Sequence, residues 1–404
     1  MRKTALALLA AATACSCGPG APPPPDPETA RLGREAAGRT TEFAFALYAQ
    51  LLRERAGESL FVSPPSVALA LAMAHAGAEG ATREEIAKAL QGTGLGQDEL
   101  ARRYSAVLAV LRSADPKVRL EIANSAWVRA GFPLRKEYVS LLADRYGARA
   151  QELDFNAPGA AAAINAWVGE RSSGRIARIV PDSISPLQVL YLVNAVYFKG
   201  EWSEKFEKGE TRPQPFHLPG GRTKERPFMR RTGDYRYLER PEFRSIRIPY
   251  GAGRMGFYVF LPREGSTLAD FHPLLTAANW KKWMGAFGSR ECRLEMPRFR
   301  LEWSADLVAA LSALGMPGAF KEGADFRGMS PLGDRLFITG ALQKTFVEVN
   351  EEGTEAAAAT AVGVGVTSAP PPPVPFVVDR PFFCALRDDE TGALLFMGSI
   401  LEPM

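Results

Sequence analysis

A chain of 404 residues with 46% hydrophobic and 23% charged residues has ordinary globular composition and the length for one large domain or two smaller ones, with a sizeable core. The formal net charge is only +4, and Arg2 and Lys3 carry two of those charges. Such a balance gives no ground for binding nucleic acid or a membrane surface by bulk charge.

Arg2 and Lys3 precede the apolar run Thr4 to Ala14. That run falls short of the roughly 20 residues that span a bilayer, but it suits a secretory signal ending in small residues. Residues 1–14 are therefore expected to be a signal peptide. Ala12-Thr13-Ala14-Cys15 resembles the lipobox of bacterial lipoproteins, with Ala12 where leucine is usual. The resemblance implies a lipid on Cys15, the sole membrane contact, with Gly18 to Pro27 as a stiff spacer inside residues 15–31. The protein is expected to be exported and held on the outer membrane or cell surface. Without the lipid it is expected to be secreted.

From about Thr29 onward no composition break, charge run or repeat marks a second domain, so residues 32–404 read as one domain. Phe43, Leu47 and Leu51 share a helical face, and Ser63-Pro64 opens a second helix that runs to Gly77. Thr82-Arg83-Glu84-Glu85 predicts a capping box and a short helix stopping near Gly92. Later the period changes: Gln188–Phe198, Ser245–Tyr250, Phe257–Leu261, Arg293–Glu302 and Phe376–Leu386 read as strands. Mixed helices and strands without βαβ alternation predict an α+β architecture with antiparallel sheets.

Enzyme motifs find little material. Gly251-Ala252-Gly253-Arg254-Met255-Gly256 satisfies G-x-G-x-x-G, but a strand follows instead of the helix that would hold a pyrophosphate, so the segment reads as a hairpin turn. There is no G-x-S-x-G, Walker A or H-E-x-x-H sequence. His75, His217 and His272 are far apart, and no metal, cofactor or catalytic set is expected. Cys292 and Cys384 stand alone in apolar segments and read as small buried hydrophobes, not as a disulfide or a catalytic thiol. The basic group Arg222, Lys224, Arg226, Arg230 and Arg231, interrupted by Glu225, reads as a solvated strand and turn.

The unusual stretch lies between Glu351 and Arg380. With period two, Thr354, Ala356, Ala358, Thr360, Val362, Val364 and Val366 form one uncharged face, while Glu355, Ala357, Ala359, Ala361, Gly363 and Gly365 form the other. No proline precedes Pro370, so the segment suits a central strand as well as an exposed loop. Composition alone favours a flexible Ala/Gly linker.

Sequence context argues otherwise. Glu351-Glu352-Gly353-Thr354-Glu355-Ala356-Ala357-Ala358-Ala359-Thr360 closely resembles the hinge of inhibitory serpins. Leu60-Phe61-Val62-Ser63-Pro64, Leu192 to Trp202, Asp379-Arg380-Pro381-Phe382-Phe383 and Leu395 to Ile400 resemble further serpin blocks, in order, over about residues 32 to 403. The resemblance implies three β-sheets, about eight or nine α-helices, an exposed reactive-centre loop at about 353–375, and a native state metastable against strand insertion. It implies an inhibitor of serine proteases, not an enzyme, acting as a monomer through a covalent acyl-enzyme complex. The alternative is a non-inhibitory serpin that acts as a binding or chaperone protein.

By the same resemblance a polar shutter maps onto Ser63, Ser66 and Asn194, with Gln343 where a histidine is usual. Trp202 takes the place at the top of the sheet where insertion begins, and Arg298 and Glu351 match a usual ion pair. Counting from Glu351 puts the reactive bond at Thr367-Ser368, with Val364 and Val366 as neighbouring candidates. No Lys or Arg occurs from Thr354 to Asp379, and no aromatic before Phe376, so the expected targets are elastase-like or subtilisin-like proteases with small apolar preference.

Overall fold

The computed structural model describes residues 24–115, 117–354 and 372–404. Its helices are α1 (Pro27–Glu54), α2 (Pro64–Gly77), α3 (Gly80–Ala89), α4 (Gln97–Arg112), α5 (Lys136–Tyr146), α6 (Ala160–Arg171), α7 (Leu268–Phe271), α8 (Ala277–Met284) and α9 (Val308–Ala313). The strands are β1 (Leu60–Val62), β2 (Val118–Arg129), β3 (Arg149–Leu153), β4 (Leu190–Glu201), β5 (Arg212–His217), β6 (Thr223–Glu239), β7 (Phe243–Tyr250) and β8 (Met255–Pro262). They continue as β9 (Gly288–Pro297), β10 (Phe299–Asp306), β11 (Gly340–Val349), β12 (Gly353–Thr354), β13 (Val374–Val377), β14 (Phe382–Asp388) and β15 (Leu394–Ile400).

One sheet has the order β10-β11-β4-β2-β3, with β12 added against β4. The other runs β1-β15-β14-β8-β7-β6-β9-β13, with β5 against β6. Three sheets were expected. The second and third are hydrogen-bonded into one because the long β6 pairs with β5 at its start, β9 along its middle and β7 at its end.

Helix α2 is buried at every position, so it has no polar face and sits in the centre, packed on β4 and β15. The larger core includes Val196 and Phe198 of β4. A smaller core, where α6 covers the six-stranded sheet, includes Ala195 and Tyr197. The alternation along β4 thus divides its side chains between two cores.

Local readings meet tertiary structure in several places. Helix α1 begins at Pro27, inside the stretch read as spacer, because the Asp26 side chain accepts the Glu28 and Thr29 N–H groups, both at 3.0 Å. The expected capping box at Thr82 is absent: α3 starts earlier, and the Thr82 hydroxyl accepts the Asp325 N–H at 2.9 Å. The run Arg293–Glu302 is two strands broken at Arg298, whose N–H donates to Pro227 O. Phe376–Leu386 likewise divides into β13 and β14. The glycine-rich motif is a hairpin turn between β7 and β8, with φ of +53° at Gly251 and +94° at Gly253. Cys292 and Cys384 are buried in β9 and β14.

Candidate functional site: the seam between two parallel strands

Strands β4 and β11 lie side by side in parallel register, from Tyr191 opposite Gly340 to Tyr197 opposite Phe346. Each is antiparallel to its outer neighbour, β2 and β10 respectively. Parallel pairing is slightly the weaker of the two per residue. This seam is therefore where one more antiparallel strand would improve the ladder.

The chain already begins that step. After β11 it turns through Asn350–Glu352, and Gly353 and Thr354 pair antiparallel with Glu201 and Gly200 of β4. Gly353 has φ +132°, and a Cβ there would run into the backbone of Gly200–Trp202, so only glycine fits. Trp202 pins the turn: its indole N–H donates to Asn350 O at 2.9 Å, its backbone N–H donates to Glu352 O at 3.0 Å, and its ring stacks on Tyr250 at 4.2 Å. Glu351 is buried; its carboxylate accepts the Thr211 hydroxyl at 2.7 Å and lies 3.8 Å from the exposed Arg298 guanidinium. Glu352 is held by Lys208 at 2.5 Å, which raises the ammonium above its ordinary value.

Midway along the seam, the residues expected to form the shutter meet. Gln343 donates to Asn194 Oδ1 at 2.6 Å and to Ser63 O at 3.0 Å, and accepts the Ser63 N–H at 3.2 Å. Asn194 also donates to the Ser66 hydroxyl and to Asn124 Oδ1, the latter at 2.6 Å. The amide of Gln343 thus bridges both strands of the seam to the start of α2, using a donor and an acceptor that a titrating group is not needed to supply.

Ser63, Ser66, Asn194, Gln343, Trp202, Arg298, Glu351, Glu352, Gly353 and Thr354 are all brought to this seam. Glu355, Ala356, Ala357, Ala358, Ala359, Thr367, Ser368 and Cys15 lie outside the described residues. Sequence reading missed Asn124, Thr211, Asn350 and Lys208. Asn124 offered a trace, as a polar residue in the apolar run of β2, whereas the others are recognisable only once the turn is folded.

Comparison with known proteins agrees with this geometry. The family described as Serpin (serine protease inhibitor) matches residues 38–403. A serpin-like protein of Thermococcus kodakarensis is 37% identical over 369 residues, covering 89% of this chain and 84% of its own length. The leukocyte elastase inhibitor of Bos taurus is 32% identical over 374 residues, covering 90% and 98%. The native structure of the thermophilic serpin tengpin superposes with a TM-score of 0.82 at 29% identity, covering 91% of this chain and 94% of that one. A family match over nearly the whole chain leaves one conclusion: this chain belongs to the serpins, a family of serine protease inhibitors.

Proposed function

We propose that the protein is a suicide inhibitor of serine proteases with small apolar specificity, elastase-like or subtilisin-like, working by insertion of its cleaved loop into the seam. The observation that carries this reading is the register of Gly353 and Thr354 against β4. Continued down the seam of an inserted form, that register sets residue 356 between Phe198 and Val347, residue 358 between Val196 and Thr345, and residue 360 between Asn194 and Gln343. The even positions are the uncharged, increasingly β-branched face of the sequence, and Phe198, Val196 and Val347 belong to the larger core. Residue 355 falls on the opposite face, between Lys199 and Glu348, where a carboxylate has a cation beside it.

In this mechanism the protease serine Oγ attacks the Thr367 carbonyl, the Thr367–Ser368 C–N bond breaks, and the new Ser368 amine leaves with a proton. The acyl-enzyme is then carried away as the loop becomes a strand. Each entering residue exchanges solvated backbone groups for ladder bonds of about 0.5–1.5 kcal/mol net, and catalytic geometry is lost by displacements of about 1 Å. The specificity rests on the loop composition, and the resemblance to a leukocyte elastase inhibitor points the same way. Export with a lipid on Cys15 and action as a monomer are part of the proposal.

The test is to mix the mature chain with an elastase-type and a subtilisin-type protease. A band at the summed mass on a denaturing gel, with a released peptide beginning at Ser368, supports it. Clean cleavage without a complex for every protease leaves a non-inhibitory binding serpin.

A further inference from the structure

At the mouth of the seam lies an open groove of about 1370 Å³, lined by β2, β4, β6, β11, the start of β10, the segment after α6 and the stretch Lys208–Pro213. Among its described lining residues are eight Lys and Arg side chains against three Glu. Two of the glutamates are already engaged: Glu351 with Thr211 and Arg298, and Glu352 with Lys208.

Of the eight cations, Arg119 pairs with Glu121, Lys208 with Glu352, Arg226 with Glu402 and Arg298 with Glu351, and two of the remaining four, Lys199 and Arg300, lie on a single rung of the sheet. Arg119 stands opposite Lys199 across β2 and β4, and Arg300 opposite Glu348 across β10 and β11. Cross-strand partners share a face, so these groups point together into the groove. Lys199 and Arg300 have no ion-pair partner among the described residues; the Arg300 guanidinium lies over the Phe346 ring at 4.9 Å. Arg212 at the rim donates only to backbone oxygens. In the basic group that the sequence singles out, Lys224 and Arg226 share Glu402, Arg230 meets Glu295 and Arg231 meets Glu204; of these only Arg226 also lines the groove.

We propose that this groove is a binding site for a compact oligoanion carrying several phosphate or sulfate groups. Guanidinium forks match such groups two hydrogen bonds at a time, and concave walls concentrate the field of clustered like charges. The floor of the groove is the last stretch of β4 and β11, so the bound anion stands where a strand continuing past Thr354 enters the seam. Occupancy therefore slows insertion and shifts the protein from inhibitor toward substrate. This second consequence rests on the proposed trapping function; the binding itself does not.

The experiment is calorimetric titration of the full chain with tripolyphosphate and, separately, sucrose octasulfate at low ionic strength, where screening is weak. One saturable site is expected, weakening steeply with added salt. The pair Lys199→Gln with Arg300→Gln should weaken it about tenfold or more, about 1.4 kcal/mol, and the control pair Lys281→Gln with Lys282→Gln on α8 should leave it unchanged. Should the groove pair fail to fold, as judged by circular dichroism, Arg212→Gln at an exposed position carries the test. Binding of one probe only identifies phosphate or sulfate as the source. No saturable binding of either, or equal weakening by the control pair, overturns the site. If a saturating probe leaves the fraction of trapped protease undiminished, the gating consequence is wrong while the site stands.

Discussion

The register at the hinge makes a parity prediction for the loop. In the proposed inserted form residue 358 would lie between Val196 and Thr345 and residue 357 between Tyr197 and Phe346; all four neighbours are buried, but only the second pair has a cation beside it, the Arg175 guanidinium 5.9 Å from the Phe346 ring. Ala358→Glu would carry a carboxylate into the larger core with no cation to meet it, at an effective cost of several kcal/mol. If about 3 kcal/mol of that is felt during insertion, the step slows about 100-fold, and deacylation overtakes it. Ala357→Glu places the same charge on the α6 side near Arg175 and should slow insertion less than about tenfold. The assay is the number of inhibitor molecules consumed per protease inactivated, together with the yield of covalent complex on a denaturing gel. A large rise for A358E and a small one for A357E is expected. Equal effects, or the reverse order, would refute the register.

Other consequences concern the closed sheet. Gln343→Ala strands the Ser63 N–H, Ser63 O and Asn194 Oδ1 in a buried site, so native stability should fall by about 2–4 kcal/mol, read as a lower melting temperature. An unshifted melt would remove Gln343 from the shutter. Arg298→Ala should cost less than about 1 kcal/mol, since the guanidinium is exposed and Glu351 keeps its Thr211 partner; a larger loss would mean the ion pair holds the turn. Burial pushes His75 down to about 4, with Arg83 adding to the effect, and burial does the same to His272, which also hydrogen-bonds Ser399 at 2.8 Å. Because the unfolded imidazole titrates near 6.5, the stability from each is complete above that pH and is lost as pH falls from about 6.5 to 4, by at most about 3 kcal/mol per histidine. Melting temperatures measured across that window should fall, and His75→Gln should flatten part of the fall; a flat wild-type profile contradicts both assignments.

Much of this was legible because the relevant signals are local. Ser63-Pro64 starts α2, the glycine turn joins β7 to β8, and the small-residue hinge stands out by composition. What stayed hidden depends on partners distant in sequence. Strand β6 is charged on both faces along much of its length, and its pairing with β5, β9 and β7 in turn is what joins two expected sheets. Thr82 had the pattern of a helix cap, but a tertiary donor, Asp325 N–H, claimed its hydroxyl. The groove cations come from six separate stretches, so their excess does not show in a net charge of +4.

Whether the seam accepts the loop as a strand once the loop is cut is tested, without knowledge of the target protease, by the melting temperature of the intact chain against the same chain nicked once within residues 355–371. About a dozen new rungs at roughly 0.5–1.5 kcal/mol each predict a rise of more than about 10 °C for the nicked form. An unchanged or lower melting temperature would mean the cut loop stays outside the sheet, and the trapping mechanism would fail with it.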